Sequence, residues 1–141
     1  MRRADYFLAV LSAGGKSRIF SPVQLQFLFF MIDRDIPHLI GGARFCFTEM
    51  EHGPFDHGLY DDIDDLAYRG LLTITRNGVS HANYRLTADG FQRGSIALGL
   101  LFGNAAEVVR EKIEIVSRHP SLRLLQLAQS SYGFGRDANA A

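Results

Sequence analysis

Apolar positions recur at helical spacing along most of the chain and as strand-like runs in two places. Residues 6–13 form a short apolar segment that reads as a first helix, with Asp5 placed to cap it and Gly14-Gly15 to end it. The sharpest start signal follows. Ser21 is an N-cap, Pro22 suits the first helical position, and Gln24 completes a capping box. Phe20 and Leu25 fit the flanking hydrophobic staple. Val23, Leu25 and the run from Phe27 to Ile32 leave little polar surface, as in a helix buried on all sides. Pro37 stops it by Ile36.

Residues 44–48 read as a short strand. Pro54 opens a segment in which Leu59, Ile63, Leu66 and Ala67 share one helical face, stopped by Gly70. Residues 71–75 and 81–86 are strand-forming runs joined across Asn77-Gly78, a hairpin turn signal. Thr87 caps a further helix reaching about Leu101. Asn104 with Glu107 starts the next, striped by Val108, Val109, Ile113 and Val116. His119-Pro120 ends it, Ser121 begins a last leucine-rich helix, and residues 135–141 read as a flexible tail.

This order predicts an α+β, mainly α fold: a winged helix-turn-helix domain over residues 1–134, with a C-terminal helical extension over 91–132. Arg69-Gly70-Leu71-Leu72, the hairpin and Tyr84-Arg85-Leu86-Thr87-Ala88-Asp89-Gly90 resemble the wing of MarR- and PadR-type regulators. Residues 21–32, then His52-Gly53-Pro54-Phe55-Asp56, then residues 59–72 resemble the Panacea antitoxin-like domains, although His52 stands where a tyrosine is usual. The resemblance implies a non-catalytic module that works through protein contacts. Alternatively, the chain is a dimeric DNA-binding transcriptional regulator with a basic wing.

Composition narrows the class. Fifteen basic and fifteen acidic side chains cancel, which excludes a uniformly basic nucleic-acid coat. One cysteine, Cys46, excludes an internal disulfide and suits a reducing, cytoplasmic compartment. Asp5 interrupts the apolar stretch after Arg2-Arg3, so no export signal is expected. No apolar run is long enough for a membrane helix, and no membrane partner is expected.

Charge is nevertheless segregated. Residues 45–68 hold seven acids and no Lys or Arg, whereas residues 69–93 hold Arg69, Arg76, Arg85 and Arg93 against Asp89 alone. The predicted third helix therefore presents Asp61, Asp62, Asp64 and Asp65 where a groove-reading helix would meet phosphates. These aspartates read as a solvated face or as contacts for a protein partner. Ile96 and Leu100 join them as partner-contact candidates, because the stretch after Arg93 has no charge up to Phe102. DNA contact falls to Arg76, Asn77, Ser80, His81 and Arg85 on the wing.

No catalytic constellation is expected. His52, His57, Asp61 and neighbouring acids match no metal-ligand spacing. Gly14-Gly15-Lys16-Ser17 follows a helix and lacks the first glycine of a phosphate loop. Cys46, between Phe45 and Phe47, is expected to be buried and inert. No metal and no small-molecule cofactor are expected. The expected partner is a protein or a second copy, with DNA as the alternative.

Overall fold

The computed structural model describes residues 1–42, 44–50, 53–76 and 82–133. Helices α1 (Arg3–Ser12) and α2 (Pro22–Asp35) are followed by a 3-10 turn (Pro37–Leu39) and a hairpin of β1 (Thr48–Met50) and β2 (Gly53–Phe55). Then come α3 (His57–Tyr68), the strands β3 (Leu72–Arg76) and β4 (Ala82–Leu86), and helices α4 (Ala88–Leu98), α5 (Ala105–Arg118) and α6 (Ser121–Ser131). The fold is α+β, with helices dominant and two small antiparallel sheets. The Asn77-Gly78 turn and the tail beyond Gly133 lie outside the described residues.

Local signals set the α2 start. The Gln24 amide donates to Ser21 Oγ at 3.2 Å, and the Ser21 amide donates to Gln24 Oε1 at 2.8 Å, closing the capping box. Residues 25–33 are then buried without interruption. Helix α1 departs from expectation. It begins at Arg3, three residues early, and its N-cap makes no side-chain bond. Asp5 instead accepts a 2.8 Å hydrogen bond from Arg93 Nε. Every residue from Tyr6 to Ser12 is buried, so packing sets this helix rather than a cap.

The expected strand at 44–48 starts only at Thr48. The physical reason is that the preceding amides bond to carboxylates rather than to a neighbouring strand. Arg44 and Phe45 N–H donate to Asp33 Oδ2 at 3.1 and 2.9 Å, and Cys46 N–H donates to Asp56 Oδ2 at 2.6 Å. Phe45 and Phe47 turn toward Phe29 and Phe30, which leaves Cys46 exposed rather than buried. Pro54 lies in β2, not at a helix start. Asp56 is the true cap of α3, accepting from Gly58 N–H at 2.7 Å. The Gln26 side chain grips both backbone groups of Asp56, at 2.9 and 3.2 Å.

Leu59, Ile63 and Leu66 of α3 are buried, while Ala67 is half-buried. They share one hydrophobic cluster with Phe27, Leu28 and Met31, yet the nearest helical neighbour of α2 is α5. Strands β3 and β4 pair from Leu72↔Leu86 to Arg76↔Ala82. Phe20 bridges Tyr84 through two backbone bonds of 2.8 and 2.9 Å, extending this sheet beyond β4. Thr87 caps α4 as expected, but α4 ends at Leu98. Asn104 flanks α5 without a side-chain cap bond. No helix among the described residues is long and apolar enough to cross a membrane.

Helix α4 lies against α1. Gly90, Gly94 and Ala97 form its buried face at i, i+4, i+7 spacing. A Cβ at Gly90 would sit 1.9 Å from the Leu71 carbonyl oxygen, and one at Gly94 would sit 2.4 Å from that of Leu8. The uncharged stretch after Arg93 is therefore partly core.

Gly94→Ala should cost about 1–3 kcal/mol or more in urea unfolding, because backbone must move. Gly99→Ala, whose added carbon meets its nearest neighbour at 3.5 Å, should be neutral or slightly stabilising. Equal effects would contradict the close approach. A second expectation concerns Asp33. Burial is the main cause that raises its carboxyl pKa, against the pull of the Phe45 and Arg44 amides. A folded value above the unfolded one favours the protonated form on folding. That contribution is fully present below the unfolded pKa and is lost as pH rises through the folded one. The wild-type-minus-Asp33→Asn difference in unfolding free energy should therefore be largest in acid and fall as pH rises above the ordinary carboxylate range. Asp33→Ala should cost about 2–4 kcal/mol, since two amides lose their acceptor.

Candidate functional site

The four aspartates of α3 do not act alike. Asp61, Asp64 and Asp65 are exposed, at spacings that place them on one outer stripe with Tyr68, which is 92% exposed. Asp65 is held by Arg69 at 3.3 Å, the i,i+4 pair that the spacing suggests. Asp61 and Asp64 make no ion pair with a described residue. Asp62 faces elsewhere. It accepts a 2.6 Å hydrogen bond from Arg3 Nε, so it ties α3 to the start of α1. Burial pushes its carboxyl pKa up, against the pull of Arg3.

The wing candidates are separated. Arg85 is exposed and pairs across the sheet with Thr73, while Arg76 is exposed opposite Ala82. Side chains alternate along a strand, so Arg85 stands on the Thr73 face and Arg76 on the face of Ile74 and Tyr84. Neither makes an ion pair with a described residue. The two arginines do not form one basic patch on the strands. Asn77, Ser80 and His81 lie outside the described residues.

Ile96 and Leu100 are 65% and 67% exposed. With Phe102 and Leu39 they border a cavity of about 470 Å³ between the start of α1, the 39–44 segment and the end of α4. Asp5, Arg44 and Arg93 supply its charged groups. Arg44 donates through all three nitrogens: Nε and Nη2 to the Ile40 carbonyl, and Nη1 to that of Met1. Arg93 donates only through Nε, to Asp5, so its terminal amino groups have no partner among the described residues. Nothing local in the sequence signals this site. Its charged residues come from three separate segments that meet only through tertiary packing.

Other candidates stay apart. Glu51 and His52 lie outside the described residues, and His57 sits in the first turn of α3 beside the Phe55 ring. No three His, Cys, Asp or Glu side chains converge among the described residues. Gly14-Ser17 follows α1 rather than a strand. No family model, curated protein or solved structure matches the chain.

The split among the aspartates has a measurable consequence. Asp61→Asn and Asp64→Asn should change unfolding free energy by no more than about 0.5 kcal/mol. Asp62→Ala should cost up to about 1 kcal/mol, the scale of a half-exposed ion pair. A double substitution with Arg3→Ala should cost no more than Asp62→Ala plus the packing of the arginine stem, as a chemical denaturation cycle would reveal.

Proposed function

We infer that the chain is a non-catalytic winged-helix module that acts through protein contacts, as an antitoxin-like or adaptor-like domain in a cytoplasmic setting. Support for the winged-helix reading comes from the order α1, Phe20 bridge, α2, α3, β3, β4, in which a one-residue bridge at Phe20 pairs beside β4. The observation that carries the function is the outer stripe of α3. Three exposed carboxylates and one nearly naked tyrosine stand where groove reading would need cations. Such a stripe suits a basic protein surface: the carboxylates steer encounter and the tyrosine serves as anchor. Asp62 takes no part, since Arg3 already holds it.

A second reading is DNA contact through the wing of a dimeric regulator. Exposed Arg76 and Arg85, free of ion pairs with described residues, favour it. Their placement on opposite faces of the hairpin weighs against a shared footprint.

The experiment compares wild type with the quadruple variant Asp61→Asn, Asp64→Asn, Asp65→Asn, Tyr68→Ala. Capture from lysate of the source cells should yield a basic partner that the variant loses by at least about tenfold. Anisotropy with random duplex at low salt should show no binding. A variant that keeps every captured partner overturns the protein-contact reading. Duplex binding whose salt slope falls by about one on Arg85→Ala establishes the wing reading in its place.

A further inference from the structure

The cavity at the end of α4 lies away from the α3 stripe and is independent of that reading. Its wall is mostly hydrocarbon, from Ile40, Ile96, Ala97, Leu100, Leu101 and Phe102. Ile96, Leu100 and Phe102 are each about two-thirds or more exposed, an expensive arrangement for a face left open to water. The volume, about 470 Å³, falls within the range of small-molecule sites. Its charged groups are two guanidiniums and one carboxylate, so the excess charge is positive.

The decisive group is Arg93. Its side chain is partly buried, and its Nε is fixed by Asp5 at 2.8 Å. That bond holds the guanidinium in place while leaving both terminal amino groups without a partner among the described residues. A guanidinium fixed at Nε still offers its planar Nη edge, which matches the two oxygens of a carboxylate. Arg44 adds positive potential, but each of its nitrogens already donates to the Ile40 or Met1 carbonyl. We propose that this cavity binds a small amphiphilic carboxylate, with its head on the Nη edge of Arg93 and its apolar part along Ile96, Ala97 and Leu100.

Asp5 has a double role. It orients Arg93, but its own charge opposes an incoming carboxylate. Replacing it by Asn removes the opposing charge and keeps an acceptor for Nε.

The test is titration of the full chain with decanoate, followed by calorimetry and by methyl chemical shifts. Decanoate should bind and shift the methyl signals of Ile96, Ala97 and Leu100. Decanol should bind at least about tenfold more weakly. Arg93→Gln should weaken decanoate by at least about tenfold, and Asp5→Asn should leave it equal or tighter. Leu100→Glu alters an exposed side chain, so the fold survives and decanoate binding should be lost. No binding at about 1 mM decanoate overturns the proposal. So does equal affinity for decanol, indifference to Arg93→Gln, or shifts confined to other residues. Sedimentation gives a further check: a wild-type dimer that Leu100→Glu converts to monomer would assign this face to a second copy and remove the ligand.

Discussion

Two helices that touch backbone to backbone set the geometry of the molecule. Gly90 and Gly94 let α4 approach the Leu71 and Leu8 carbonyls more closely than any side chain permits. Each glycine inside a helix costs about 1 kcal/mol relative to alanine. The approach offsets that cost by sealing α1, whose residues from Tyr6 to Leu11 are wholly buried. It also sets the β3–β4 hairpin, since Gly90 rests on the chain that leads into β3. One turn of α4 places Arg93 against Asp5, and the next turns carry Ile96 and Leu100 outward beside Ala97. The cavity is thus a by-product of the contact that orders the core.

Between α2 and α3 the chain is held by polar side chains that stand in for strand partners. Asp33 receives two amides of the 44–45 segment and the Tyr6 hydroxyl, at 3.5 Å for the last. Asp56 receives Cys46 and Gly58, while Gln26 clasps the backbone of Asp56. The buried Asp33 carboxylate costs desolvation, Asp56 is half-buried, and both are stabilised by backbone donors. In this way an irregular segment is given one conformation and α3 one starting point. A further tie lies at the last residue of α2, where Asp35 takes both Lys112 and the Tyr132 hydroxyl.

Signals confined to a few neighbouring residues were legible in the sequence. The Ser21–Gln24 box, the Gly70 stop and the Thr87 cap rest on chemistry within four residues, and each stands where the pattern puts it. Readings that needed distant partners went astray. Asp5 looks like a cap but serves Arg93, 88 residues away. The 44–48 run looks like a strand because its side chains alternate, yet carboxylates from elsewhere take its amides. Asp62 looks equivalent to its three neighbours until Arg3 is placed. Arg44 and Arg93 carry no local sign of a shared cavity. Periodicity reports which face is apolar, and it is silent on what that face will meet.

The burial of α1 has a temporal side. This helix leaves the ribosome before the elements that cover its aromatic and aliphatic face. Its main cover, α4, is synthesised some 88 residues later, as the Asp5–Arg93 pair measures. At bacterial or eukaryotic elongation rates that interval is roughly 4–18 s. Phe29 of α2 can cover Tyr6 and Phe7 early in that interval, but the face of α1 that meets α4 must wait. Closure of so long a loop delays the native pairing further. The core around α1 can therefore close only once the chain has been made as far as Leu98, the end of α4.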